Sequence, residues 1–143
     1  MGVIEAFRSL RKSDEYLELA HRIDKDTSGC LIIAKSRIAL SKIGESLQSN
    51  QVKKTYVALV KGHWPKGKSK VNAPLKKNTL LSGERIVKVD KLGKRSVTNF
   101  EITEKYENTT LLKINLETGR THQIRVHCQF SGMPIVGLSL IHI

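Results

Sequence analysis

His21-Arg22-Ile23-Asp24-Lys25-Asp26-Thr27-Ser28-Gly29 runs directly into the apolar stretch Cys30-Leu31-Ile32-Ile33-Ala34. An apolar run bounded by Gly29 and Ser36 reads as a strand buried in a core. The polar cluster then stands at the mouth of that strand, where a rigid element can hold a reactive group in place. Asp24 lies between Arg22 and Lys25, whose positive charges favour its ionised form, and an ionised carboxylate can serve as base or nucleophile. A polar turn closed by an internal salt bridge accounts for the same residues, since structural ion pairs imitate sites. A hydrolytic pair of Asp24 and Asp26 fits less well. Residues two apart share a face on a strand, but Lys25 and the Thr27-Ser28-Gly29 turn put this pair in a loop.

Working outward, apolar residues at 3, 4, 7 and 10 give the N-terminal stretch a helical spacing. Ser36 is placed to cap a helix over residues 37–49, with Leu40, Ile43 and Leu47 on one apolar face and Asn50 as its stop. Lys54-Thr55-Tyr56-Val57-Ala58-Leu59-Val60 is rich in strand formers and ends at Gly62. On it, Tyr56, Ala58 and Val60 share one face, and a strand tyrosine is commonly half-buried packing. Residues 63–95 read as loops and short strands punctuated by Pro and Gly. The alternation at 98, 100, 102 and at 112, 114, 116 predicts an antiparallel hairpin turning through Asn108. Thr121 is placed to cap a helix in which Ile124 and Cys128 share a face and Gly132 follows the end. Arg120, His122, Arg125 and His127 are expected around its start and middle, an anion-facing arrangement. The expected fold class is α+β: a mixed, mostly antiparallel sheet with a few flanking helices.

Composition narrows the function. The chain has 143 residues and a net charge of +12, enough length for one domain with a real core. Residues 53–95 hold 13 of the 25 cations but only two acids, Glu84 and Asp90. A localised excess of this kind is the footprint of a polyanionic partner, whereas a merely soluble surface scatters its charge. Only Trp64 interrupts the basic run as a candidate for stacking on bases, so its lysines, Lys54, Lys76 and Lys77 among them, suit phosphate positioning. No apolar stretch approaches the roughly 18–20 residues of a membrane span, and no export signal is read at the N-terminus. Cys30, in the expected buried strand, and Cys128, in the expected helix, fit no metal spacing. Both are expected reduced in a cytosolic, monomeric protein without metal. His122 and His127, five apart, do not make a helical metal pair.

Three stretches carry a resemblance. His-Arg-Ile-Asp-x-x-Thr-Ser-Gly (21–29), Lys54-x-Tyr56 on a strand ending in glycine, and Gly-Arg-Thr-His-Gln-Ile-Arg-Val-His (119–127) occur in order. Together they resemble the RluA/RluC/RluD family of RNA pseudouridine synthases. The stretches Ala73-Pro74-Leu75 and Ser82-Gly83-Glu84-Arg85 look most like its RluC branch, which acts on large-subunit (23S) ribosomal RNA. The resemblance implies that Asp24 is the catalytic nucleophile, Tyr56 the active-site tyrosine and Arg125 the partner of Asp24. It also implies that Arg22 fills the gap left by a flipped uridine, and that no cofactor is used. Lys54, Lys76, Lys77, Arg120 and His122 are then candidates for RNA contact. A basic RNA-binding protein without catalysis explains the charge equally well, but not three matching polar clusters. The resemblance covers residues 2–137, so residues 1–137 are expected to be part of a catalytic domain, truncated at both ends relative to the family. Residues 138–143 depart from its pattern. The family's Lys-Pro-x-Gly segment and the small RNA-binding S4 domain often found before it are not matched.

Overall fold

The computed structural model describes residues 2–11, 15–49 and 51–138. Asn50, the expected helix stop, and most of the 138–143 tail lie outside the described residues. The chain divides into two compact units, Met1–Val52 and Lys53–Ile143.

The first unit is small and lightly packed. Helix α1 (Val3–Ser9) has the expected spacing, and of its apolar residues only Ile4 is buried. Strand β1 (Glu18–Leu19) pairs antiparallel with β2 (Ile33–Ala34). Here the structure corrects the expected buried strand. Regular pairing begins only at Ile33, Cys30 and Ile32 are exposed, and Ala34 is the one buried residue of the run. The backbone leaves Gly29 at φ +138, a conformation that breaks ladder pairing at the strand's expected start. Helix α2 (Arg37–Gln48) begins as its sequence dictates: the Ser36 hydroxyl accepts a hydrogen bond from the Ala39 amide at 3.1 Å. Leu40, Ile43 and Leu47 are half-buried, and no residue of α2 is fully buried.

The second unit is built on a sheet. Strands β3 (Thr55–Lys61), β4 (Lys70–Asn72), β7 (Val97–Lys105) and β8 (Thr109–Leu116) pair antiparallel in the order β3-β8-β7-β4. The β7–β8 hairpin turns through 106–108, as the alternation predicted. A separate ribbon joins β5 (Leu75–Thr79) to β6 (Arg85–Val89), and helix α3 spans Gln123–Phe130. Val60, Trp64, Val71, Phe100, Leu112, Ile114 and Cys128 form the core on one face of the sheet. Trp64 is 1 % exposed, its ring centroid 4.4 Å from that of Phe100, and its Nε1 donates to the Lys68 carbonyl. It is therefore a core residue, and the expectation that it stacks on bases is corrected. A smaller cluster of Leu75, Val87 and Val126 seats the ribbon against α3. This is the expected α+β class, with antiparallel sheets and three helices among the described residues.

Candidate active site

The polar cluster of the first unit lies in irregular backbone. The Thr27 amide donates to the Asp24 carbonyl at 3.1 Å, closing a tight turn with Lys25 and Asp26 at its corner. Asp26 takes the left-handed conformation at φ 66, which aspartate tolerates better than most residues. Beside this turn, His21 is structural. Its Nε2 accepts from the Ile32 amide at 3.0 Å, while the Ala20 amide donates to the Ile32 carbonyl, so the arms before and after the turn are tied together. Asp24 is half-buried and Arg22 exposed. A half-buried carboxylate on a turn whose arms are fixed remains reachable by a substrate.

In the second unit, Tyr56 on β3 stands opposite Ile114 on β8 and is half-buried against the main core. Ile124, the neighbour of Arg125 on α3, packs against the same core. Tyr56 and the helix carrying Arg125 thus border one hydrophobic cluster. Lys54, just before β3, brings its ammonium to the loop preceding α3: its Nζ lies 3.2 Å from where a Cβ on Gly119 would stand. Lys76 and Lys77 are consecutive on β5, both exposed, opposite Lys88 and Val87 respectively. Being consecutive, they project from opposite faces of the ribbon. Arg120 is exposed, and its Nε donates to the Arg95 carbonyl.

The start of α3 differs from expectation. Thr121 does not cap it; the N-cap is His122, in the left-handed region at φ 52 and without a side-chain capping bond. The buried side chain of Gln123 takes over that task from inside the helix. Its Oε1 accepts from the Arg120 amide and from the Thr118 hydroxyl, each at 2.9 Å. Its Nε2 donates to the Val97 carbonyl and to the Thr98 hydroxyl. The Thr98 hydroxyl donates in turn to His127 Nδ1 at 2.8 Å, and His127 Nε2 donates to the Ala73 carbonyl at 2.9 Å. Every group in this relay has one consistent role, which requires a neutral His127 protonated on Nε2. Burial pushes the His127 imidazole below the usual histidine range, against the opposing effect of the Ala73 bond. His127 therefore belongs to the interior and not to the cationic group at the helix start. Gln123, Val126 and His127 form a stripe among the four buried residues of α3, the fourth being Cys128. Their spacing of three and four residues is the signal that sequence reading passed over in favour of charge. Among the described residues, no group of three or more His, Cys, Asp or Glu is arranged to hold a metal.

Residues 5–130 match the family model described as RNA pseudouridylate synthase. This chain belongs to that family. It is 56% identical over 134 residues to the ribosomal large subunit pseudouridine synthase C of Haemophilus ducreyi, which covers 94% of this chain and 42% of the relative. The protein of the same name from Escherichia coli K12 is 52% identical over the same extent. The chain thus spans about two-fifths of the length of the curated relatives it matches. Its fold is similar to the solved structure of human RNA Pseudouridylate Synthase Domain Containing 1, with a TM-score of 0.78 and 27% identity. That match covers 95% of this chain and 59% of the human one. Human RNA Pseudouridylate Synthase Domain Containing 4 gives a TM-score of 0.75 at 25% identity. The fold class and the family read from the three motifs are both borne out.

Proposed function

We propose that this chain is part of an enzyme converting uridine to pseudouridine in RNA, with large-subunit ribosomal RNA as its substrate. The observation that carries the reading is the 56% identity to a large-subunit pseudouridine synthase along nearly the whole chain. The reaction breaks the bond between uracil N1 and the ribose C1′, turns the base, and joins C5 to C1′. The proton leaves C5, N1 gains one, and nothing is oxidised or reduced, so the reading calls for no cofactor. A stacked base is out of reach of the attacking group, so the uridine must first leave its stack.

In this reading Asp24 is the attacking carboxylate. Arg125 is its ionic partner in the RNA-bound enzyme, keeping it charged and oriented. Tyr56 assists removal of the C5 proton, and Arg22 occupies the space the base leaves. Lys54, Lys76, Lys77, Arg120 and His122 contact phosphates. Residues 1–137 form part of the catalytic domain, acting as a monomer in the cytoplasm. No helix among the described residues is long and apolar enough to cross a membrane.

The test is Asp24→Asn in the complete protein, with ribosomal RNA probed by carbodiimide labelling and primer extension. Asparagine keeps the shape and removes the charge, so modification should vanish while RNA affinity and the melting temperature stay near wild type. Full activity in the folded variant removes Asp24 from the mechanism. Absence of modification by the wild type, with RNA still bound, leaves only a binding protein. Reversing Lys76 and Lys77 to glutamate should weaken RNA binding and flatten its dependence on salt, because fewer counterions are then released.

A further inference from the structure

The loop from Thr118 to His122 carries Arg120 and His122, and two of its side chains tie it down from outside: the Thr118 hydroxyl accepts from the Val97 amide and the Arg120 Nε donates to the Arg95 carbonyl. Thr121 makes no cap, and His122 sits in a left-handed conformation that a non-glycine residue adopts only when its surroundings hold it there. The contact that holds the loop from the interior is Gln123, which is 2 % exposed. A carboxamide offers two donors and an oxygen with two lone pairs, and all four capacities are used. The division between them is sharp. The oxygen faces the loop, through the Thr118 hydroxyl and the Arg120 amide. The nitrogen faces β7, through the Val97 carbonyl and the Thr98 hydroxyl, with His127 and Ala73 behind.

We propose that Gln123 is a positioning residue: its oxygen sets the pose in which Arg120 and His122 meet an RNA phosphate, while its nitrogen serves the stability of the interior behind it. This rests on the reading of RNA as substrate. The two halves of the carboxamide separate positioning from plain stability. Gln123→Glu keeps an oxygen towards the loop. On the other side the Thr98 hydroxyl can turn to donate to the second oxygen, leaving repulsion with the Val97 carbonyl and an unpaired His127 Nδ1. The fold loses stability but the loop stays held. Gln123→Leu removes both halves. Gln123→Asn keeps both groups but is one methylene short, so its oxygen no longer reaches the Arg120 amide. Thr98→Val weakens the interior bonding and leaves the oxygen in place.

The experiment uses the complete protein and a fluorescein-labelled RNA hairpin with uridines in its loop. It reads the melting temperature, the anisotropy Kd and hydrogen exchange of the Arg120 amide. All four variants should melt below wild type. The Kd should rise in Gln123→Leu and Gln123→Asn, roughly tenfold for a loop displaced by about an ångström. It should stay near wild type in Gln123→Glu and Thr98→Val, and the Arg120 amide should lose protection only in the first two. If Gln123→Leu does not fold, the contrast between Asn and Glu decides. Equal Kd values in Asn and Glu, or an unchanged Kd in Asn despite a deprotected Arg120 amide, overturn the inference. A wild type that fails to bind the hairpin overturns the RNA reading instead, and the exchange result still reports whether Gln123 holds the loop.

Discussion

The two units of this chain carry their information differently. Among the described residues of Met1–Val52 the buried apolar ones are Ile4, Leu17 and Ala34, and the densest polar motif stands on irregular backbone. In Lys53–Ile143 a four-stranded sheet encloses Trp64, Leu112, Ile114 and their neighbours, and the polar motif before α3 is wired into that interior. One motif is held by a turn and a histidine tying its arms, the other by a buried relay. Similar density of functional residues in the sequence therefore says nothing about how firmly each is held. The packing of the surrounding apolar residues decides that.

The two cysteines give the contrast its largest expected effect. Cys30 is exposed in the first unit, whereas Cys128 is fully buried in the second and burial pushes its thiol up to about 12. The thiolate is the reactive form. A thiol reagent applied to the folded protein at neutral pH should modify Cys30 rapidly, and Cys128 only as the second unit unfolds. Comparable rates at both, read by peptide mass spectrometry, would erase the difference in packing.

Core truncation comes next. Leu112 is fully buried between β3 and β7, so Leu112→Ala should cost about 3 kcal/mol in chemical denaturation. Ile4→Ala in the first unit should cost less, because the few buried residues around it leave room for collapse. A loss as large at Ile4 would show that the first unit is packed more tightly than its burial implies.

These contrasts also mark what the sequence made legible. The period-two runs of β3, β7 and β8 and the capped helix α2 follow local rules: β3 and α2 stand within a residue of expectation, and β7 and β8 contain the expected alternations and extend three residues beyond them towards their turn. The run Cys30–Ala34 was misread because apolar content alone does not require burial. The conformation of Gly29 and ladder pairing that begins only at Ile33 decided against it. At α3, the charges of Arg120, His122 and Arg125 drew the reading to the outer face. The decisive contacts are those of Gln123 and His127, polar residues in core positions. A polar residue at a core position looks local in sequence, and its partners Thr98 and Ala73 are distant in the chain. Trp64 was misplaced for the same reason: Phe100, which buries it, lies far along the sequence.

Acid should separate the units further. The His127 pKa is depressed in the folded protein, first by burial. The folded state then binds fewer protons than the unfolded state once pH drops below the unfolded histidine value of about 6.5. The stability from the neutral relay is present above that pH and lost as pH falls from there through the folded pKa. Denaturation of the second unit followed by Trp64 fluorescence should show this loss, and His127→Gln should flatten it. A slope unchanged by that substitution would assign the acid sensitivity to other groups.

The smallest effect concerns the first unit's best-defined local interaction. Ser36 caps α2 through one hydrogen bond to the Ala39 amide, and α2 has no acidic residue in its first turn to support that end. With no residue of α2 fully buried, its stability depends on local terms more than that of α3, which has four buried residues. Ser36→Ala should therefore cost about 1 kcal/mol. Because a helix end frays before its middle, the loss should appear as faster amide exchange over residues 37–40, with exchange in β7 and β8 unchanged. Ser36→Asp should do the opposite: its carboxylate keeps the cap and adds a favourable charge at the positive end of the helix dipole. If alanine slows nothing and speeds nothing at 37–40, α2 is held by packing after all. If alanine speeds exchange across β7 and β8 as well, the two units unfold as one, and the difference in packing does not divide the chain's stability.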